Sequence, residues 1–374
     1  MARRPDRPPA RSPGWASSRR TRIIQHLETL DHEQLLVRRG RRSGLYTIVA
    51  VHSTNRGASL GGCRMWTYEQ SRAAVSDALR LSRAMTYKAA VADLALGGGK
   101  GVIMLPAGRP LTPAQRRAAL FDFADTVEML AGAYITAEDV GTSSRDMSAI
   151  ATRTRFVAGL ARRRGGSGDP SPWTALGVEA AIRASCERVF GGSSLTKRSV
   201  CVVGLGHVGA RVARRLARAG ARLVVSDVDP HKRNLAASIG ARWVAPAKAM
   251  SIEADVLAPC ALGAVLNDET VPALRCRIVA GAANNQLTED RVADMLAARG
   301  VLWAPDFVAN AGGIINISVE LAGRYEPGRA RRRVSAIGDT LGEIFAQADA
   351  SGATPLSIAI ELAHRRLAAD GGRT

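Results

Sequence analysis

An α/β protein built from two units is the prediction of this sequence, and three observations carry it. At 374 residues the chain is long enough for two domains of ordinary size. Hydrophobic residues make up 46%, enough for two packed cores. The stretch SVCVVGLGHVGARVARRLARAG (199–220) sets a short apolar run before a glycine turn and an amphipathic helical pattern, which is how a strand–turn–helix unit reads.

The elements follow in chain order. GLYTIVAVHS (Gly44–Ser53) reads as a strand, and alternating turns and helices follow to about residue 150. Within them Asp77–Ala90 and Pro113–Leu130 carry helical periodicity. RRRGGSGDPSP (162–172) is rich in Gly, Pro and charge and reads as a linker or hinge. Residues 173–190 are helical. Val200–Val203 is a buried-type strand, and ARLVVSD is the next, ending at Asp227. The segments 254–261, 277–287 and 300–316 read as further strands ending in small or polar residues.

Gly204, Gly206 and Gly209 fit GxGxxG with Leu205, His207 and Val208 between them, and Asp227 stands 23 residues after Gly204. Alone the glycines are a weak signal; strand, glycines, helix, strand and acid in register are a strong one. Gly204 makes the tight turn, Gly206 lets backbone approach a pyrophosphate, and Gly209 allows close helix–strand packing, with the helix N-terminus favouring the anion. This is a Rossmann-type unit. Asp227 would accept from a ribose 2′-hydroxyl and repel a 2′-phosphate, so NAD is expected over NADP, although His231, Lys232 and Arg233 weaken that preference. Strand C-terminal ends bind ligands in open α/β sheets, which places Asn284, Asn285 and Asn310 where a nicotinamide could be held.

Charge and composition narrow the partners. The formal net charge is +19, but the first 22 residues hold seven arginines, four prolines and one acid, which reads as a disordered basic tail rather than a transit peptide. Arg211, Arg214, Arg215 and Arg218 recur at helical spacing and read as a solvated face. Aromatics are only 4% and no nucleic-acid-binding motif stands out, so nucleic acid is not the expected partner. The five cysteines show neither CxxC nor metal spacing, as in a reduced cytoplasmic protein, and no metal is expected. No apolar run reaches the roughly 18 residues of a membrane helix, and no signal-peptide pattern opens the chain.

ADLALGGGKGVI (92–103) raises a separate question. A P-loop needs GxxxxGK followed by Ser or Thr; here Leu94 and Gly101 occupy the first glycine and the last position, so Lys100 is not a P-loop lysine. Lys88 lies twelve residues earlier, and both sit in largely apolar sequence. Burial and a neighbouring cation lower a lysine's pKa and make it a usable base. Asp139, after another apolar run, could exchange protons with such a pair. Spacing alone leaves open that both lysines are structural.

LGGCRMW (60–66), MTYK (85–88), LGGGKGVI (96–103), YITAEDVGT (134–142), GDPSPWTALGV (168–178), GLGHVG (204–209), AGAANNQL (280–287) and APDFVANAGGIIN (304–316) together resemble the Glu/Leu/Phe/Val amino-acid dehydrogenase family, from about residue 30 to 368. The resemblance implies a basic tail at 1–22, a substrate-binding and oligomerisation domain at 23–150, a Rossmann NAD domain at 151–330, and C-terminal helices (331–374) returning to the first domain near the cleft. It implies a homo-oligomer that converts an L-amino acid, NAD and water to a 2-oxo acid, ammonia and NADH. In that scheme Lys88 binds the α-carboxylate, Lys100 activates water and polarises the oxo group, and Asp139 moves protons to and from the amine. Gly61, Gly62 and Met85 line the carboxylate side, while Thr174, Asn284 and Asn310 lie near the nicotinamide. The GGGK glycines are expected to let substrate approach, with hinges near 142–172 and 320–335.

Family members that use glutamate place a lysine just before the GG of the LGG segment and a serine three residues after the GGV position; here these are Leu60 and Ile317. With Ala137 and Ile314 they make an apolar pocket in which an unpaired carboxylate would be costly. A branched aliphatic amino acid is therefore expected, with phenylalanine as the alternative. A catalytically silent NAD-binding protein and a nucleic-acid-binding protein are the readings from other classes.

Overall fold

A computed structural model describes residues 30–108 and 110–370. The basic tail at 1–22 lies outside the described residues.

The first sheet is mixed and five-stranded, in the order β1-β2-β4-β3-β5: β1 Gln34–Arg39, β2 Tyr46–Ser53, β3 Ser59–Thr67, β4 Gly97–Leu105 and β5 Tyr134–Glu138. β1 and β2 are antiparallel, as are β2 and β4, whereas β3 runs parallel to both β4 and β5. The parallel pairs need helical crossovers, and Ser71–Val91 and Pro113–Glu128 supply them. The second of these helices starts sharply because Thr112 and Gln115 form a reciprocal cap ahead of Pro113. The first begins at Ser71, six residues before the Asp77 expected from periodicity.

The glycine-rich stretch is a central strand. Side chains alternate across β4, so Gly98 faces the helix Ser71–Val91 while Gly99 and Gly101 face the other layer. A Cβ on Gly98 would sit 2.1 Å from the Thr86 amide nitrogen; one on Gly101 would sit 2.4 Å from Phe123 Cζ. The expectation that these glycines admit substrate is corrected: they admit the two covering layers. Alternation then puts Lys100 on the Gly98 side, where the helix carrying Lys88 lies.

The second sheet has six parallel strands in the order β11-β10-β9-β6-β7-β8: β6 Ser199–Val203, β7 Arg222–Ser226, β8 Arg242–Trp243, β9 Val256–Pro259, β10 Ile278–Val279 and β11 Leu302–Trp303. The strand order reverses at β6, where an open α/β sheet has its ligand crevice. The segments 277–287 and 300–316 contribute only two strand residues each. Asn284 and Asn285 lie in the loop after β10, and most of the last segment is helical (Asp306–Ala309 and Gly312–Leu321) because its small residues pack closely. A Cβ on Gly312 would meet the Trp173 carbonyl oxygen at 2.1 Å.

The segment 162–172 is not an open linker. Ser167 is buried, Glu320 Oε2 accepts from the amides of Gly159 (3.1 Å) and Ser167 (2.8 Å), and the helix Ser171–Phe190 begins within the stretch. The territory of the first sheet also runs beyond residue 150, since Thr136 exchanges backbone hydrogen bonds with Phe156 and Ala158. The last helix, Pro355–Asp370, packs on Ser71–Val91, and Arg366 Nη1 donates to the carbonyls of Ala90 (3.2 Å) and Val91 (2.6 Å). One apolar core is continuous from Leu60 and Ala89 to Ile317, Phe345 and Ile358. No described helix is long and apolar enough to cross a membrane.

Candidate active site

A cavity of about 660 Å³ opens between the C-terminal ends of the two sheets. Three parallel strands aim at it from one side. β3 brings Leu60, Gly61, Gly62 and Arg64; β4 brings Lys100; β5 ends in Ala137 and Glu138, with Asp139 following. The helix Ser71–Val91 adds Met85 and Lys88 on successive turns. From the other side come Thr174, His207, Val208, Asn284, Asn310, Ile314 and Ile317.

Lys100 is only 5% exposed, and its Nζ donates to Asp139 Oδ2 at 2.6 Å. Burial alone would push the Asp139 carboxyl up, but the charges of Lys100 and Arg64 outweigh it and hold the group below the usual carboxylate range. Arg64 Nε donates to the same Oδ2 at 3.0 Å. The loop that carries Asp139 is fixed: Thr142 Oγ1 accepts from the Asp139 amide at 3.0 Å and donates to the Cys63 carbonyl at 2.8 Å. Gly141 there has φ +83, a conformation suited to glycine, and a Cβ would strike the Met65 carbonyl oxygen.

Lys88 is half-buried, and its Nζ donates to Asn284 Oδ1 at 3.1 Å. Asn310 Nδ2 donates to that oxygen too, at 2.9 Å, so a hydrogen-bonded line crosses from the first sheet's helix to the second unit. Burial pulls the Lys88 pKa down to about 8, with nearby Lys100 pushing the same way and Asp306 opposing. Asp306 is buried and raised by desolvation, although the amide of Gln286 donates to its Oδ2 at 2.7 Å. Burial, with Asp169 second, lifts Glu138 to about 7.

The dinucleotide turn has a different glycine logic at each position. Gly204 has φ +98, and a Cβ there would strike Ala261. A Cβ on Gly209 would lie 1.9 Å from the Gly204 carbonyl oxygen, whereas at Gly206 it would meet nothing within 4 Å. Gly206 thus presents bare backbone, the cradle a pyrophosphate requires. Asp227, just past β7, accepts from the amides of Leu205 (2.5 Å) and Asp229 (2.8 Å), fixing the acid beside the turn. Asn310 Oδ1 is buried with no described hydrogen-bond partner, an acceptor that a carboxamide N–H would satisfy. The residues present therefore fit NAD.

Every residue expected from sequence to contact substrate lines this one cavity, and the turn Gly204–Gly209 adjoins it through His207 and Val208. Arg64, Glu138 and Asp306 also line it and were not singled out, although all three stand inside segments that carry the resemblance. The signal for Arg64 and Asp306 was an ionisable residue in an otherwise apolar run. Arg211 and Arg215 are not merely solvated: they pair with Asp169 (2.9 Å) and Glu179 (2.6 Å). Among the described residues no cluster of His, Cys, Asp or Glu could hold a metal, and the cysteines are unbridged.

A parallel dinucleotide sheet beside a cleft with two lysines and an aspartate defines an NAD-dependent oxidoreductase. The chain belongs to the Glu/Leu/Phe/Val dehydrogenase family. That family's dimerisation-domain profile matches residues 32–156, and its Glutamate/Leucine/Phenylalanine/Valine dehydrogenase profile matches 228–327. The NAD-binding domain profile of the D-isomer specific 2-hydroxyacid dehydrogenases matches 178–274. The leucine dehydrogenase of Thermoactinomyces intermedius is 44% identical over 347 residues, covering 92% of this chain and 93% of its own. The phenylalanine dehydrogenase of Caldalkalibacillus thermarum is 39% identical, with 90% and 91% covered. The crystal structure of L-tryptophan dehydrogenase from Nostoc punctiforme superposes with a TM-score of 0.78 at 37% identity, covering 94% of this chain and 100% of that one.

Proposed function

We propose that this chain catalyses the reversible, NAD-dependent oxidative deamination of a branched aliphatic L-amino acid (leucine, valine or isoleucine) to its 2-oxo acid and ammonia. The observation that carries the substrate class is the cavity end formed by Leu60, Ala137, Ile314 and Ile317, all buried, beside Lys88, Lys100 and Asp139. A glutamate side chain there would bury its carboxylate among methyl groups, at a cost above the roughly 2–7 kcal/mol of an unpartnered neutral polar group.

The chain's residues divide the work. Lys88 binds the α-carboxylate, with Gly61, Gly62 and Met85 shaping that side. Asp139 takes a proton from the substrate ammonium, leaving an amine whose lone pair assists loss of hydride from Cα. Bound NAD supplies the hydride acceptor. Lys100, its proton given up to solvent, takes one from the water that adds to the resulting imine carbon; Asp139 passes its proton to nitrogen and, as ammonia leaves, accepts the one released from the carbinolamine hydroxyl. The turn Gly204–Gly209 holds the pyrophosphate and Asp227 the ribose. Thr174, Asn284 and Asn310 hold the nicotinamide end. Closure about the segments near 142–172 and 320–335, tied together by Glu320, excludes water during hydride transfer. The protein works in the cytoplasm, where its unbridged cysteines stay reduced, as a homo-oligomer built through the unit that matches the family's dimerisation domain.

NAD reduction at alkaline pH against L-leucine, L-valine, L-isoleucine, L-phenylalanine, L-tryptophan and L-glutamate tests this reading. Turnover is expected with the branched aliphatics. Turnover confined to aromatic substrates would replace the substrate assignment, and turnover with none of them would reject this substrate class and point to another substrate or to a catalytically silent NAD-binding protein.

A further inference from the structure

Asp139 has two oxygens, and the structure treats them unequally. Oδ2 receives both Lys100 Nζ, at 2.6 Å, and Arg64 Nε, at 3.0 Å. No described residue hydrogen-bonds to Oδ1, and the residue lines the cavity. Arg64 is itself held from behind: its Nη1 donates to Asp77 Oδ2 at 2.8 Å. Tyr68 Oη donates to that Oδ2 at 2.7 Å, and Arg80 Nη2 donates to Oδ1 at 2.8 Å. The guanidinium therefore spans two carboxylates, one in the cavity wall and one on the helix Ser71–Val91, which suits its planar fork.

We propose that Arg64 is a positioning residue for the proton exchange at Asp139: it pins Oδ2, leaves Oδ1 to trade the amine's proton, and keeps the carboxylate anionic while Lys100 is neutral. The last part follows from charge. Lys100 must lose its proton to serve as a base, and at that moment the half-buried Asp139 loses its nearest cation. Arg64 cannot be deprotonated in the working range and remains as the permanent counter-charge. The other ionisable groups around this cluster are Cys63 and Tyr68 on the β3 side, Lys88, Asp77 and Arg80 on the helix, Tyr134 on β5, Glu138 before Asp139, and Asp146 and Arg116 beyond it.

The inference rests on the proton-exchange role of Asp139, so the test starts from wild-type turnover; without any, that reading fails before Arg64 is reached. In a working enzyme, Arg64→Gln is expected to lower kcat by about tenfold to a hundredfold and to move the acidic limb of kcat/KM upward by about 1 pH unit or more. NADH affinity, followed by fluorescence, should not change. Arg64→Lys keeps the charge but cannot span two carboxylates, so kcat should fall while the acidic limb stays in place. A folded Arg64→Gln with wild-type kcat and limb would overturn the inference, as would a parallel loss of NADH affinity, which marks a general distortion. If Arg64→Gln does not fold, Arg64→Lys decides: wild-type kcat in that variant overturns the inference.

Discussion

A buried lysine on a central strand, with its ammonium 2.6 Å from a half-buried carboxylate, is held at one point instead of being swept through solvent. That constraint separates Lys100 from a surface lysine. Lys100→Ala should lower kcat by two or more orders of magnitude, about the 10²–10⁴ that a positioned proton-transfer group supplies, while NADH still binds. Stopped-flow turnover together with NADH titration measures both; near-normal turnover would remove Lys100 from the chemistry.

Lys88 carries a different consequence. Its pKa is pulled from about 10.5 to about 8 by burial. Between those values the folded chain binds fewer protons than the unfolded one, so stability of the ligand-free protein rises with pH across this window. Below pH 8 the cost of the buried charge is borne in full. Lys88→Met should flatten the rise in melting temperature between pH 8 and 10.5, and an unchanged profile would show that Lys88 is better solvated than its surroundings suggest. At this scale Lys88, Lys100 and Asp139 could be picked from sequence because their segments carry a resemblance; spacing alone left two structural lysines as an option. Arg64 and Asp306 stand in segments that carry the same resemblance, but their roles did not follow from it: the partners that define those roles, Asp139 and Gln286, lie 75 and 20 residues away.

At the scale of elements, the dinucleotide unit was the most legible part. Strand, turn and helix are all local there, and each glycine has a steric reason. Those reasons separate stability from binding. Gly206→Ala places a methyl in open space and should leave unfolding by urea unchanged while weakening NADH. Gly209→Ala drives one into the Gly204 carbonyl and should destabilise by about 3 kcal/mol, the upper end of overpacking, or more. Equal effects of the two in urea melts would contradict this division. β4 was the least legible element, since glycines are depleted in strands and nothing in GGGKG marks one. Only the layers above and below it, through Thr86 and Phe123, explain its composition. β1 escaped as well: QLLVRR is an edge strand, largely solvent-facing and basic, with no alternation to betray it.

Across the whole molecule, the basic surplus of the first 22 residues is remote in sequence from the cavity, whose lining begins at Leu60. Deleting residues 1–22 should leave kcat and KM for leucine and NAD within about twofold, as expected for changes away from the site. A loss of activity would assign the tail a part in assembly. The two-unit plan was readable from length and one motif, and the return of the C-terminal helices from the resemblance, but the contacts that join the halves were not. They include Lys88 with Asn284 and Arg366 with the Ala90 and Val91 carbonyls, which join residues far apart in the chain.

The cavity draws Lys100 and Asp139, the proposed proton-handling pair, from β4 and the end of β5, and Lys88 from the helix that covers their sheet. Ile314 and Ile317, which close its apolar end, sit on a single ten-residue helix in the other half. A catalyst divided this way is open to retooling: the two isoleucine codons can be randomised together to change the amine product, with Lys88, Lys100 and Asp139 left as inherited. The limit lies at the start of that helix. Gly312 leaves no room for a methyl against Trp173, so a library that reaches back to this position would trade new selectivity for a misfolded protein.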